Sequence, residues 1–206
     1  MSDDDWPGIA SVMIRACLFG SSFMIDDITS PRLLLRHLDA DFLESCLRGD
    51  IDAAAARLGC RPAAGWMGET ALMEMRLADM AAEPAYAPWS VRALLRRDDL
   101  AMIGHINFHT RPGHPYLNGY GDVELGYAVY PAFRRQGYAR EALLAMAGWA
   151  ARQGGVQRLV LSIEPGNLPS QALAAQLGFA KVGQARDDDG CEDVLTADWP
   201  LPGAFV

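Results

Sequence analysis

Residues 122–130, DVELGYAVY, alternate strictly, with Val123, Leu125, Tyr127 and Val129 on one side and Glu124, Gly126, Ala128 and Tyr130 on the other. A period of two over that length predicts a strand with one face on a core, and Pro131 closes it. The spacing then turns helical over Arg134–Gln153, with Gly154 and Gly155 as the stop. A β-rich apolar run, VQRLVLSIEP, follows and ends at Pro165. NLPSQALAAQLGF predicts a short helix with Asn167 as N-cap, Pro169 in the first turn and Gly178 at the end. AKVGQARDD and CEDVLTADW read as two closing strands around a DDDG turn. Toward the N-terminus, SPRLLLRHL predicts a strand over 30–38. Three helices come next, in DADFLESCLRGD, IDAAAARLG and ETALMEMRLADMAAEP, with CRPAAGWMG as loop. APWSVRALLRR and LAMIGHINFHT, joined at DD, predict a hairpin.

The order is strand, helices, three strands, helix, strand, helix, two strands. The strand–helix–strand unit around the long helix implies a right-handed parallel crossover, and the flanking hairpins imply antiparallel pairs. The fold class expected is α/β with a mixed central sheet flanked by helices. With 206 residues and 50% hydrophobic content, one domain over 25–206 has ample core. Residues 1–24 form an extension of unknown structure, lacking the basic start of a signal peptide and too short and interrupted to span a bilayer. Cys17, Cys46, Cys60 and Cys191 have neither zinc-ligand nor disulfide-scaffold spacing, which fits a reducing cytoplasm and no metal. The formal charge of −8 argues against a nucleic-acid partner.

Against that acidic background, Arg134, Arg135 and Arg140 crowd the start of the long helix. A helix N-terminus carries partial positive charge, so each arginine there costs up to about 1 kcal/mol. A bound diphosphate reverses that sign, because free amides at a helix start form an anion site. The bland alternative is three arginines reaching into water, with Glu141 as partial compensation. No G-x-x-x-x-G-K-[ST] loop and no G-x-G-x-x-G after a strand offers a rival phosphate site.

RRQGYA (134–139) resembles the R/Q-x-x-G-x-G/A signature of the GNAT N-acetyltransferases. VELGYAVYPAFRRQGYAREA and PGNLPSQALAAQLGFAKVG are similar to the acetyl-CoA half of that fold, and ITSPRLLLRHL to its ribosomal-protein N-terminal acetyltransferase branch. The resemblance is specific over 121–183, loose over 39–110 and absent over 1–24. It implies a GNAT acyl-CoA N-acyltransferase fold and acetyl-CoA as cosubstrate. Main-chain amides of Arg134, Arg135, Gln136, Gly137, Tyr138 and Ala139 would hold the diphosphate. A side chain at Gly137 would meet the phosphates; the alternative is a tolerated glycine in a first helical turn. Arg135 or Arg140 reaches the 3′-phosphate, or nothing. The strand at 122–130 would splay from the next one, freeing backbone near Val129 for pantetheine or for polarising the thioester carbonyl; the alternative is an ordinary ladder bond. Asn167 contacts the cosubstrate, caps its helix, or both.

Relatives carry on this last helix a tyrosine that protonates the departing thiolate. SQALAAQ has only Ala and Gln there, so Ser170 or a water takes that role, or Ser170 is a plain surface serine. Glu124 is the candidate general base; a structural partner for an arginine or for amides is its alternative. A base matters because an α-amine with pKa about 8 is roughly one-tenth neutral at pH 7, and a lysine amine far less. His105 and His109 share one strand face with Asn107, lining the acceptor cleft or standing exposed on a hairpin. Trp66, Trp89, Phe108 and Tyr116 fall on the acceptor side without individual roles. The acceptor expected is a peptide or small-molecule amine, attacked directly in a ternary complex. The alternative is a non-catalytic acyl-CoA-binding or regulatory domain. A homodimer is expected by analogy only.

Overall fold

The computed structural model describes residues 25–114, 117, 121–187 and 190–204. The N-terminal extension, Cys17, Tyr116 and the centre of the DDDG turn lie outside the described residues. Among the described residues, eight strands form one sheet in the order β1-β2-β3-β4-β5-β6-β8-β7. They are β1 (Ile28–Thr29), β2 (Leu33–His37), β3 (Arg92–Arg96), β4 (Met102–Phe108), β5 (Asp122–Val129), β6 (Arg158–Ile163), β7 (Ala180–Asp187) and β8 (Gly190–Asp198). Among the described residues, only β5 and β6 pair in parallel, bridged by the long helix, and every other neighbour is antiparallel. The mixed sheet expected from the order of elements is therefore present.

The helices that cover it among the described residues are α1 (Ala40–Leu47), α2 (Ile51–Leu58), α3 (Ala64–Met67), α4 (Thr70–Ala82), α5 (Tyr138–Gln153) and α6 (Leu168–Gln176). One face packs on α5 and α6. Tyr138, Ala142, Leu143, Met146, Ala147 and Ala150 of α5 form a helical stripe that meets Val123 and Leu125 of β5 in the same core. The other face packs on α1 to α4, where Phe42, Leu43, Trp66 and Met73 meet Ala93, Leu95 and Met102. The two-residue alternation of β5 is what assigns its side chains to these two cores.

Three expectations shift. CRPAAGWMG is not all loop: α3 forms within it because Trp66, fully buried, stacks on Phe42 with ring centroids 6.2 Å apart. Residues Pro84–Trp89 form a 3₁₀ turn, and strand pairing starts only at Arg92. The long helix begins at Tyr138 instead of Arg134, because Arg135 (φ +61°) and Gly137 (φ +81°) are left-handed and break the helical path.

Candidate active site

β5 and β6 pair only from Asp122 opposite Arg158 to Glu124 opposite Val160. Beyond that β5 runs on to Val129 and β6 to Ile163 without bonding each other, so a gap opens between them. On its other side β5 stays paired to β4 as far as Val129 opposite Gly104. Tyr130 N–H donates to Ile103 O at 2.9 Å. Since main-chain groups alternate along a strand, the Val129 N–H points the other way, into the gap.

The loop Arg134–Gly137 sits at the mouth of this gap. Among the described residues, the amides of Gly137 to Arg140 meet no protein acceptor, as the first turn of a helix requires. Left-handed backbone at Arg135 and Gly137, alternating with Gln136 between them, is the backbone pattern of an anion-binding nest. Gly137, as N-cap, supplies no side chain of its own to satisfy them.

The sequence-predicted residues divide in this loop. Arg134, Arg135, Gln136 and Gly137 are exposed. Arg134 Nε donates to Val129 O at 2.9 Å, so this guanidinium braces the gap edge. The Tyr138 side chain is buried under the Arg32 guanidinium, 4.5 Å from its ring centroid, which leaves only its main chain to face outward. Arg140 Nη2 donates to Pro202 O at 3.4 Å and borders a cavity of about 400 Å³ that also reaches Gly137, Glu141 and Arg32.

Arg32 was missed by the sequence reading. Its Nη1 holds Gln136 O at 3.0 Å, and its Nε meets Glu141 Oε2 at 2.7 Å. Glu141 in turn accepts from Ser30 Oγ and from the Arg32 amide, both at 2.7 Å. Those donors hold the Glu141 carboxyl below its ordinary pKa against the opposing effect of burial. Glu141 is thus the partner of Arg32 across 109 residues, and the loop arginines expected to share it do not. The only signal was a charged residue inside SPRL, which local pattern cannot pair with a distant glutamate.

Asn167 caps α6, its Oδ1 accepting from Ser170 N at 3.3 Å. The Tyr127 phenol, whose pKa burial raises, feels the nearby Ser170 hydroxyl as an opposing influence. That places Ser170 next to β5 at the gap.

Glu124 is 2% exposed, on the sheet face under α1 to α4. Its Oε2 lies 3.4 Å from His109 Nδ1, and its carbonyl accepts from His109 N at 2.8 Å. A histidine is thus one neighbour of this carboxylate. Asn107 stands opposite Gly126 and His105 opposite Ala128 on that face, so the row Glu124, Asn107, His105 is continuous. His105 is buried, not exposed, with its ring 5.4 Å from that of Trp66. Desolvation lowers its pKa to about 4, so it is a neutral imidazole at pH 7. His105 Nδ1, Asn107 Nδ2 and the Tyr130 hydroxyl have no hydrogen-bond partner among the described residues. Buried polar atoms are normally paired, so this row is built to meet something else. Among the described residues no cluster of His, Cys, Asp or Glu could hold a metal ion, and no helix is long and apolar enough to cross a membrane.

An acetyltransferase (GNAT) domain profile matches residues 32–180. The chain belongs to the GNAT acetyltransferase family. It is 29% identical over 91 residues to the uncharacterized N-acetyltransferase YnaD of Bacillus subtilis, covering 44% of this chain and 49% of that protein. The chain thus spans about half the length of the curated relatives it matches. Among solved structures, RimL, a ribosomal L7/L12 alpha-N-protein acetyltransferase, superposes with a TM-score of 0.57 at 20% identity, over 86% of this chain and 96% of that one. The microcin C7 self-immunity acetyltransferase MccE, in complex with acetyl-CoA and AMP, gives 0.56 at 15% identity, over 82% and 93%. These two show the fold. Within that GNAT fold, the ribosomal-protein acetyltransferases are among the structural neighbours of the chain.

Proposed function

We propose that this GNAT chain, as a single domain over 25–206, is an acetyl-CoA-dependent N-acetyltransferase acting on a primary amine. The observation that carries the reading is the run of unpaired amides from Gly137 to Arg140 next to the β5–β6 gap. A diphosphate fits that nest: it supplies the acceptors the amides lack and the negative charge the helix start favours. The acetyl-CoA in the MccE neighbour's complex supports the same choice of cosubstrate.

When bound, acetyl-CoA supplies an acyl group activated as a thioester. Arg134, Arg135, Gln136, Gly137, Tyr138 and Ala139 hold its diphosphate by main chain, with Arg32 fixing the Gln136 carbonyl behind them. Arg140 and the cavity beside it receive the adenosine end, and Asn167 flanks the gap from α6. The Val129 N–H points where pantetheine, or the thioester carbonyl, accepts it. Glu124 takes the proton shed by the attacking amine, and Ser170 Oγ–H serves the departing sulfur. His105 Nδ1, Asn107 Nδ2 and the Tyr130 hydroxyl supply acceptor-side polar contacts. The acceptor is a protein N-terminus or a small amine, and the ribosomal-protein branch favours the former.

The test is thiol release from acetyl-CoA across peptides with free N-termini, polyamines, aminoglycosides and amino acids. Glu124→Gln is expected to lower kcat by about 10²–10⁴-fold while CoA affinity holds. Tight CoA binding with no turnover on any amine would move the chain to a non-catalytic acyl-CoA-binding role.

A further inference from the structure

A buried base must return its proton to water in every cycle, and Glu124 has almost no surface through which to do so, its side chain being 3% exposed. The His109 ring beside it is 38% exposed, with Nδ1 3.4 Å from Glu124 Oε2. That separation is long for a hydrogen bond, as catalytic contacts often are before substrate binds. We propose that His109 is a catalytic relay that carries the proton from Glu124 to solvent. The proposal rests on Glu124 being the base.

The pair is built, not incidental. A β-carbon at Gly126 would stand 2.7 Å from His109 Nε2, so the missing side chain on β5 makes room for the ring. The His109 main chain is fixed on both sides: its N–H donates to Glu124 O at 2.8 Å, and its carbonyl accepts from Arg76 Nη1 at 3.4 Å. The preceding carbonyl, Phe108 O, accepts from the Tyr86 hydroxyl at 2.6 Å. Arg76 of α4 also faces this end of β4. Its guanidinium occupies main-chain carbonyls, the Tyr86 hydroxyl and Asp79, which leaves the His109 ring to Glu124.

The proton count closes. The attacking ammonium loses one proton to Glu124, breaking N–H and forming O–H. Glu124 passes it to His109 Nδ1, breaking O–H and forming N–H, and the ring then swings toward solvent and releases that same proton to water or buffer, so both residues return to their starting states. Nothing is oxidised or reduced.

The experiment compares the full chain with its His109→Ala, Gly126→Ala and Glu124→Gln variants, using acetyl-CoA with a tetrapeptide bearing a free N-terminus and with spermidine. His109→Ala is expected to lose at least about 10-fold in kcat, within the range of proton-transfer catalysis, with unchanged KM for acetyl-CoA. Added imidazole restores its turnover in proportion to concentration, because a diffusing base replaces the ring. Gly126→Ala, which displaces the ring, shows the same loss and the same rescue, and Glu124→Gln is not rescued. Parental turnover in His109→Ala overturns the relay, as does a loss that imidazole leaves unmoved while CoA still binds. Rescue of Glu124→Gln to the same degree shows that Glu124 does not feed His109, which also overturns it. No turnover by the parent chain on either amine defeats the acetyltransferase reading itself and the relay with it.

Discussion

Gly137→Glu tests the diphosphate nest directly. Gly137 has φ +81°, and a residue with a β-carbon in that conformation costs roughly 1–2 kcal/mol. The built β-carbon would lie 3.4 Å from Arg32 Nη2, in ordinary contact, so space is not the obstacle. Charge is. A carboxylate held about 4 Å from one phosphate charge is repelled by about 4 kcal/mol at an effective dielectric near 20, roughly a thousandfold in affinity. Arg32, already engaged by Glu141 at 2.7 Å, offsets part of this. A loss of at least about 100-fold in CoA affinity remains. Gly137→Ala is the control, since it shares the strain but carries no charge. Calorimetric titration with CoA and thermal unfolding separate the two effects. Both variants should lose similar stability, and only Gly137→Glu should lose most of its binding. If Gly137→Glu binds CoA as tightly as the parent chain, the diphosphate does not sit on these amides.

Arg32→Ala removes the brace on Gln136 O and the stack on Tyr138, and is expected to weaken CoA binding about 10-fold by titration, the size of one lost charge-assisted hydrogen bond. Its ion pair with Glu141 is half exposed on the Arg32 side and contributes little to stability, so the unfolding midpoint should move far less than the affinity. His37 and His105 both have pKa values lowered to about 4, chiefly by desolvation. Each stays neutral in the folded chain while the unfolded chain protonates near 6.5, so stability present above pH 6.5 is lost as pH falls toward 4. By pH 5 this is about 2 kcal/mol per histidine. Urea unfolding of His105→Gln at pH 7 and pH 5 should show a smaller acid loss than the parent; an equal loss would mean the imidazole is not kept neutral by burial.

Much of the architecture was legible in the chain because it is local. Alternation in DVELGYAVY, the helical stripe after it, and the Asn167 cap are properties of adjacent residues and their backbone geometry, so β5, α5 and α6 could be read directly. The nest was legible for the same reason, since glycine at 137 and the arginines around it are consecutive. The helix start was misplaced by one turn because left-handed Arg135 has no sequence signature. The rest depended on partners far apart in the chain. α3 exists because Trp66 found Phe42 and His105; Arg32 matters because Gln136 and Glu141 lie 104 and 109 residues away. The Glu124–His109 contact follows from the β4–β5 register and the room left at Gly126. Sequence alone determined most of the elements and placed a glycine among arginines before the long helix, because dihedral preference and hydrophobic period act over a few residues. Which charged and polar side chains face one another was decided only by the folded sheet, whose strand order and register bring distant segments within bonding distance.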